Sequence, residues 1–377
     1  MKLSICVLGL RGLPDVMGGV EMHCEQLFPL MKAQSPHYSF TIIGRKAYLP
    51  RRVGEYQGLR IISLPHARSK YFETITNTVY GVIYARFALR SNLLHLHGIG
   101  PSLVAPIAKT LGMKVVVTYH SKNYEHRKWN LPARVVFRIG ELCAVVFADR
   151  VIAVSRSIAR DLKKRFPRAA GRVYFIPNGA NHVDTARSES EARSNEAILW
   201  KHNLERSNYI VAVGRLVPEK GFHDLLTAFE RSEFRGKLVI AGAADHHDVY
   251  SNQLLEKAGD RLVFTGFVSK DTVYSLLINA SLFVLPSYYE GLPIAALEAI
   301  GAGAAVLLSD IEANRDLGLN PNNYFKVGNL EDLRYKISQD HKNYQLDQFD
   351  RLKILQQHDW HAISVKTDKV YSTLKWD

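Results

Sequence analysis

Cysteine is scarce in this chain: Cys6, Cys24 and Cys143 are all there is in 377 residues, odd in number and far apart. A disulfide framework is excluded, and the apolar contexts point to reduced thiols in a cytosolic core. Long apolar runs are missing too. The longest candidate, CAVVFADRVIAV, is broken by Asp149 and Arg150, so no membrane-spanning helix is expected. The opening MKLSICVLGLRG has no small-residue cleavage site after it and reads as a buried first strand rather than a signal peptide. The GxGxxG dinucleotide fingerprint is absent, because Gly9, Gly12 and Gly18 have the wrong spacing, and so is the GxxxxGK[ST] phosphate loop. No internal repeat and no low-complexity tract appears.

What is present is an ordinary globular composition, 47% hydrophobic and 23% charged, on a chain long enough for two domains. The net charge of +13 is uneven. Residues 1–184 hold 27 Lys/Arg against 10 Asp/Glu, whereas the remainder is slightly acidic. A basic half suits nucleic acid, an anionic membrane surface or a phosphorylated substrate, with a solvated face lacking any partner as the plain alternative.

Along the first half, LSICVLGL, SFTIIG, LRIISLP, LLHLHG, KVVVTYH, DRVIAVS and VYFIPNG read as buried strands, with helical patterns such as YGVIYARFALR and PSLVAPIAKTLG between them. Residues 184–207 are polar and fit a linker with a surface helix. The alternation then restarts with YIVAVGR, KGFHDLLTAFERS, KLVIAG, RLVFTGF, DTVYSLLINA, SLFVLPS and AAVLLSD. Runs rich in Val, Ile and Leu separated by helices predict parallel sheets covered on both faces. The expectation is therefore α/β: two doubly wound Rossmann-like domains facing across a cleft, residues 1–183 and 184–359, with a helix at 360–377. Ligands of such sheets bind beyond the carboxyl ends of strands, so function is sought in those loops.

After the first strand, Gly18 and Gly19 precede a helix beginning near Val20, where backbone N–H groups favour an anion or simply make a turn. In GRLVPEKG, Arg215 and Lys220 flank a turn at a strand–helix junction, as a diphosphate clamp would, or as two exposed cations. In SYYEGLPIAALE, Glu290 follows a strand, Pro293 suits the first turn of the next helix, and Glu298 lies about one and a half turns into it. Carboxylates accept from vicinal hydroxyls, so a sugar suits each. A helix-terminal charge for Glu290 and a buried salt bridge for Glu298 are the structural alternatives.

Gly18-Gly19-Val20-Glu21, the segment ending in His120, IPNG at 176–179, GRLxxxKG at 214–221, and Glu290 with seven residues before Glu298 occur in order. With them the chain resembles family 4 retaining glycosyltransferases of the GT-B fold over nearly its whole length. The segment GLRGLPDVMGGVE is also similar to a bacterial polysaccharide subgroup that includes rhamnosyltransferases. The resemblance implies transfer from a nucleoside-diphosphate sugar to a glycan or lipid-diphosphate-linked acceptor, with no metal. It implies that Arg215 and Lys220 hold the diphosphate. Glu290 would bind the donor sugar, helped by backbone N–H groups of Gly291, Leu292, Pro293's neighbours and Ile294, and Glu298 would bind the ribose. Gly18 and Gly19 would approach the phosphates and acceptor, and His120 the anomeric carbon. Gly266, Phe267 and Val268 would line the base pocket. The C-terminal helix would cross back to the first domain.

Departures are Asn181 where the family often has Asp (Asp184 is nearby), Gly303-Ala304-Ala305-Val306 for a usual Gly-x-Pro-Val turn, and AADHHDVY for a Gly-rich turn. Asp245-His246-His247-Asp248 has metal-ligand types but no second cluster, and His95 and His97 point one way from a strand; neither is taken as a metal site. Nucleic-acid binding lacks a helix-turn-helix, RNP or zinc pattern. An epimerase or phosphorylase on the same scaffold, or a dehydrogenase, lacks its lysine motif or glycine fingerprint. The basic clusters RRVGEYQGLR, SKNYEHRKW and DLKKRFPRAAGR are expected to meet anionic lipid, which makes the enzyme cytosolic and peripheral on the inner face of the membrane.

Overall fold

The computed structural model describes residues 3–49, 53–67, 72–125, 130–180, 197–244 and 248–375. Asn181, Asp184, Asp245, His246 and His247 lie outside the described residues, as do parts of two basic clusters (51–52 and 126–129). The chain forms two compact units: residues 1–178 with 360–377, and 179–359. Among the described residues no helix is long and apolar enough to cross a membrane.

The first unit holds strands β1 (Leu3–Leu8), β2 (Tyr38–Arg45), β3 (Val53–Tyr56), β4 (Leu59–Leu64), β5 (Leu93–His97), β6 (Lys114–Tyr119), β7 (Arg150–Ala153) and β8 (Val173–Phe175). Its helices are α1 (Gly19–Gln34), α2 (Glu73–Phe87), α3 (Ala105–Thr110), α4 (Leu131–Phe147) and α5 (Arg156–Arg165). The sheet order is β3-β4-β2-β1-β5-β6-β7-β8. Every pair is parallel except the edge pair β3–β4. The strands read as continuous apolar runs because both faces are covered; Ile5, Val7, Leu93 and Val116 are fully buried. Strand β3 is the exception. Its alternating exposure at an antiparallel edge leaves no apolar run, and the sequence offered no signal for it.

The second unit has β9 (Tyr209–Val213), β10 (Lys237–Ala241), β11 (Leu262–Gly266), β12 (Leu282–Leu285), β13 (Val306–Ser309) and β14 (Tyr324–Phe325). Its helices are α6 (Ala197–Lys201), α7 (Phe222–Glu230), α8 (Val249–Leu255), α9 (Lys270–Asn279), α10 (Ile294–Gly301), α11 (Glu312–Arg315), α12 (Leu330–Ile337) and α13 (Gln348–Gln357). The order β11-β10-β9-β12-β13-β14 is all parallel. Its core joins Ile210 and Val284 of the sheet to Phe222, Leu225 and Phe229 of α7. Each such side chain contributes about 1.5–3 kcal/mol on burial.

The last helix, α14 (Trp360–Ser372), belongs to the first unit. Trp360, Ile363, Val370 and Tyr371 enter the same core as Phe28 and Met31 of α1. The buried Tyr371 hydroxyl and Nδ1 of His95 are 2.6 Å apart. Cys6, Cys24 and Cys143 are free thiols, the first two buried.

In each sheet the strand order reverses direction at one place. In the first unit that switch lies between β1 and β5, and in the second between β9 and β12. Connections leave such neighbours toward opposite faces, so a crevice opens at their carboxyl ends.

Candidate active site

In the second unit, the loop after β9 and the loop after β12 flank that crevice. Arg215 lies two residues past β9, half-buried. The chain then makes a single 3-10 turn, Pro218–Lys220, and ends it at Gly221 in the left-handed region, φ 68°. A Cβ on Gly221 would lie 2.1 Å from the Pro286 carbonyl oxygen. Only glycine lets this loop touch the end of β12. The contact continues as the Tyr288 N–H donates to the Glu219 carbonyl, 2.9 Å.

That approach brings together residues seventy positions apart. Lys220 Nζ donates to Glu290 Oε1 at 2.6 Å, and the Ser287 hydroxyl donates to the same oxygen at 2.6 Å. The Lys220 and Glu290 side chains are 18% and 11% exposed, so this is no loose surface pair. Both bonds use Oε1. Among the described residues none reaches Oε2, and Lys220 keeps two further protons. The sequence placed Lys220 and Glu290 separately; the structure makes them one unit. Ser287 was not foreseen, although it sits at the strand end three residues before Glu290. Tyr288 was also missed. Its hydroxyl donates to the Asp224 carboxylate on α7, and His223 stacks on its ring with centroids 5.9 Å apart.

Gly291, Leu292 and Pro293 are buried and lead into α10. Pro293 is the residue capping that helix, φ −77°, not its first turn as expected; its carbonyl accepts the first helical bond, from the Leu297 N–H, and the helix proper begins with Ile294. The first-turn N–H groups of α10 therefore have no partner within the helix. Glu298 is the fifth residue of α10. Its surface is half-buried and its carboxyl group makes no hydrogen bond to a described residue, yet dense surrounding protein decides its ionisation. Desolvation pushes the carboxyl up to about 7, against the pull of the Lys270 ammonium at the start of α9. No salt bridge forms at Glu298, so the structural alternative for this residue is absent among the described residues.

At the far edge, Gly266 ends β11 with φ 69°, and its carbonyl accepts from the Gly242 N–H after β10. Phe267 is 54% exposed and Val268 half-buried. The Gly303-Ala304-Ala305-Val306 turn forms without proline, with Gly303 at φ 73° leading into β13. Asp248, from the acidic-histidine segment, caps α8: its carboxylate accepts from the Ser251 N–H at 2.9 Å, and Ser251 Oγ accepts from its own N–H.

In the first unit, α1 starts at Gly19, one residue before the expected position, and Gly19 is exposed. Gly18, φ 150°, leaves room for the buried Glu21 carboxylate, which would lie 2.1 Å from a Cβ there. Glu21 Oε1 accepts from the Arg11 N–H at 2.9 Å and so pins the loop after β1. His120 follows β6 directly, half-buried, with Nε2 3.0 Å from His97 Nδ1. Burial and the neighbouring His23 and His95 hold His120 well below the usual imidazole range, so it is neutral at pH 7.

Residues 17–184 match the family model Glycosyltransferase Family 4, and residues 194–344 match Glycosyl transferases group 1. Together the two glycosyltransferase models cover most of the chain. Two curated proteins that it is similar to are an uncharacterized glycosyltransferase of Methanocaldococcus jannaschii, 35% identical over 43% of this chain and 42% of that one, and a Campylobacter jejuni enzyme. The latter is N,N'-diacetylbacillosaminyl-diphospho-undecaprenol alpha-1,3-N-acetylgalactosaminyltransferase, 27% identical over 50% of this chain and 45% of that one. The chain spans about half the length of these curated relatives. Its GT-B fold is shared with sucrose-phosphate synthase of Thermosynechococcus elongatus, TM-score 0.81, 21% identity, covering 98% of both chains. It is shared as well with Anabaena HepE solved with UDP-glucose, TM-score 0.77, 18% identity, covering 99% of this chain and 100% of that one.

Proposed function

We propose that this protein is a retaining, metal-independent glycosyltransferase that moves a sugar from a nucleoside diphosphate to a hydroxyl of a glycan or lipid-diphosphate-linked acceptor in cell-surface polysaccharide synthesis. The observation that carries the reading is the Lys220–Glu290–Ser287 cluster at the switch point of the second sheet, with one carboxylate oxygen and two ammonium protons left for a ligand. A group needing both a cation and an acceptor within a few ångströms is a phosphorylated sugar. Lys220, with Arg215 on the same loop, neutralises the diphosphate, Glu290 Oε2 accepts from a sugar hydroxyl, and Glu298 accepts from the ribose diol. Gly291–Ile294 add backbone N–H groups, and Gly266–Val268 flank the base. The relatives point the same way: Anabaena HepE was solved with UDP-glucose, and the Campylobacter jejuni relative is named for a diphospho-undecaprenol sugar.

The diphosphate is a good leaving group that needs charge stabilisation more than protonation, which preorganised cations and helix-terminal N–H groups supply. The bond from the anomeric carbon to the phosphate oxygen breaks, and the acceptor oxygen bonds to that carbon on the same face. The acceptor's proton passes to the departing phosphate oxygen. No protein nucleophile takes part, and the two glutamates act as hydroxyl ligands, not as a glycosidase pair. We keep for His120 a place beside the reacting carbon, and for Gly18 and Gly19 the acceptor side. Rhamnosyl donors are the first to try.

For a membrane surface, the supporting feature differs from the one expected. On α4, Leu131, Val135, Ile139, Leu142 and Val146 form one stripe at helical spacing and are 74%, 48%, 48%, 49% and 49% exposed. With the exposed Arg138 beside them and the basic excess of this half, the stripe suits anionic lipid. Co-flotation with anionic vesicles tests this: binding lost in Val135→Asp/Ile139→Asp supports it, and no binding at low salt ends it.

The test of the activity is a nucleotide-sugar panel, scored by donor hydrolysis and thermal shift, then by transfer with the anomeric configuration of the product. Turnover should persist in a chelator. Inversion, or loss of activity on chelation, overturns the corresponding part of the proposal.

A further inference from the structure

Three imidazoles converge at the switch point of the first unit. His23 comes from the second turn of α1, His97 is the last residue of β5, and His120 follows β6. One nitrogen can be taken from each ring so that all three lie within 4.8 Å of one another. His23 and His97 are 2% and 1% exposed, while His120 is half-buried and leaves one side open.

The hydrogen bonding of this cluster is incomplete. Nε2 of His23 and Nε2 of His97 are both buried and, among the described residues, both without a partner. An unsatisfied buried polar atom costs about 1–3 kcal/mol, and most are paired in folded proteins. His95, two residues before His97 on the same strand, provides the contrast. Its Nδ1 meets the Tyr371 hydroxyl at 2.6 Å and its Nε2 meets Thr118 Oγ1 at 2.7 Å, so it is a structural histidine with nothing left over.

We propose that His23, His97 and His120 form a binding site for one divalent ion of the zinc class, with a fourth position open to water on the His120 side. Imidazole nitrogens suit late first-row ions, and no carboxylate joins the trio, which excludes magnesium and calcium. Tetrahedral zinc with bonds of about 2.0–2.1 Å sets its ligand nitrogens about 3.4 Å apart. The ligand nitrogens lie within 4.8 Å of one another, so shifts of roughly an ångström assemble the set.

The outer contacts fit as well. His23 Nδ1 is 3.0 Å from Asn178 Oδ1, which accepts, so Nδ1 carries the proton and Nε2 presents a bare lone pair. Cys24 Sγ is 3.5 Å from His97 Nδ1. The binding test needs no donor.

Full-length protein stripped with a chelator is titrated with Co2+, followed by visible absorption, and then with Zn2+ in competition. One equivalent of Co2+ should bind with tetrahedral bands, Zn2+ should displace it with micromolar or tighter affinity, and Mg2+ should give no signal. His120→Ala, whose side chain is half-exposed, should weaken binding at least about tenfold, whereas the exposed His37→Ala should not change it. His23→Ala should abolish it; if that variant fails to fold, the Zn2+-induced rise in melting temperature of the wild type and its loss in His120→Ala stand in its place. No saturable binding of either ion, or binding equally strong in His120→Ala, overturns the site.

Discussion

The two sheets present the same crevice with opposite chemistry. At the second switch point a lysine and a glutamate face each other with donors and an acceptor to spare. At the first, the side chains are neutral imidazoles, desolvated and packed ring against ring, His97 on His120 with centroids 5.3 Å apart. One crevice carries a charged pair; the other carries uncharged imidazoles in a half whose sequence is strongly basic. The lesson is that net charge of a domain does not forecast the charge of its site. The basic excess belongs to the surface of the first unit, and the ion pair that matters lies in the slightly acidic second one.

Four measurements bear on that contrast. The largest effect should come from the charged crevice: Lys220→Ala and Glu290→Ala should each lower kcat by about 10²–10³-fold while the melting temperature holds, since both side chains sit in loops. Near-normal turnover in both would dissolve the comparison. Next, Gly221→Ala should destabilise the second unit by at least about 2 kcal/mol, because its Cβ meets the Pro286 carbonyl and its φ is left-handed. Calorimetry should show that unit melting earlier with the first unchanged.

A third, smaller effect concerns pH. Glu298 faces Lys270 from α9, and Arg351 from α13 bonds the helix's other end at the Gly301 carbonyl. A ribose diol donates to the ionised carboxylate, so binding draws the proton off. Nucleotide affinity should fall up to about tenfold per unit as pH drops below about 7, by the usual linkage. Glu298→Gln should flatten that profile. Its stability sign is opposite to that of an ordinary carboxylate: with the folded pKa raised from 4.5 to about 7, stability is present below pH 4.5 and is lost as pH rises through 7. The glutamine variant should therefore melt higher at pH 8. Smallest is Tyr371→Phe, which strips one bond from His95 and should cost the first unit about 1–3 kcal/mol without changing transfer.

Much of the candidate site in the second unit was legible because the signals are local. A strand, then glycine, cation and glycine, or a strand, then glutamate and a helix start, can be read from short windows, and so the loops of β9 and β12 were placed correctly. That Lys220 pairs with Glu290 was not, since it depends on β9 and β12 being neighbours, and strand order is written in no local pattern. His23 was missed for the same reason: it is one polar residue on an amphipathic helix until the sheet brings β5 and β6 beside it. Helix α4 escaped notice because a stripe that is apolar yet faces outward mimics a core helix. Strand β3 escaped because four residues at an edge, exposed on alternate sides, have no hydrophobic signature.

The place of α14 carries one more consequence, for the order in which the molecule can be made. Residues 360–374 supply Trp360, Ile363, Val370, Tyr371 and Leu374 to a core shared with residues of β1, α1, β2, β4, β5, β6 and β7. During synthesis, the second unit leaves the ribosome while the first still lacks that wall, with Phe28, Met31 and His95 uncovered. The first unit to be translated is thus the last to be finished, and a nascent chain stopped before residue 360 would hold one complete domain and one with its interior open to chaperones.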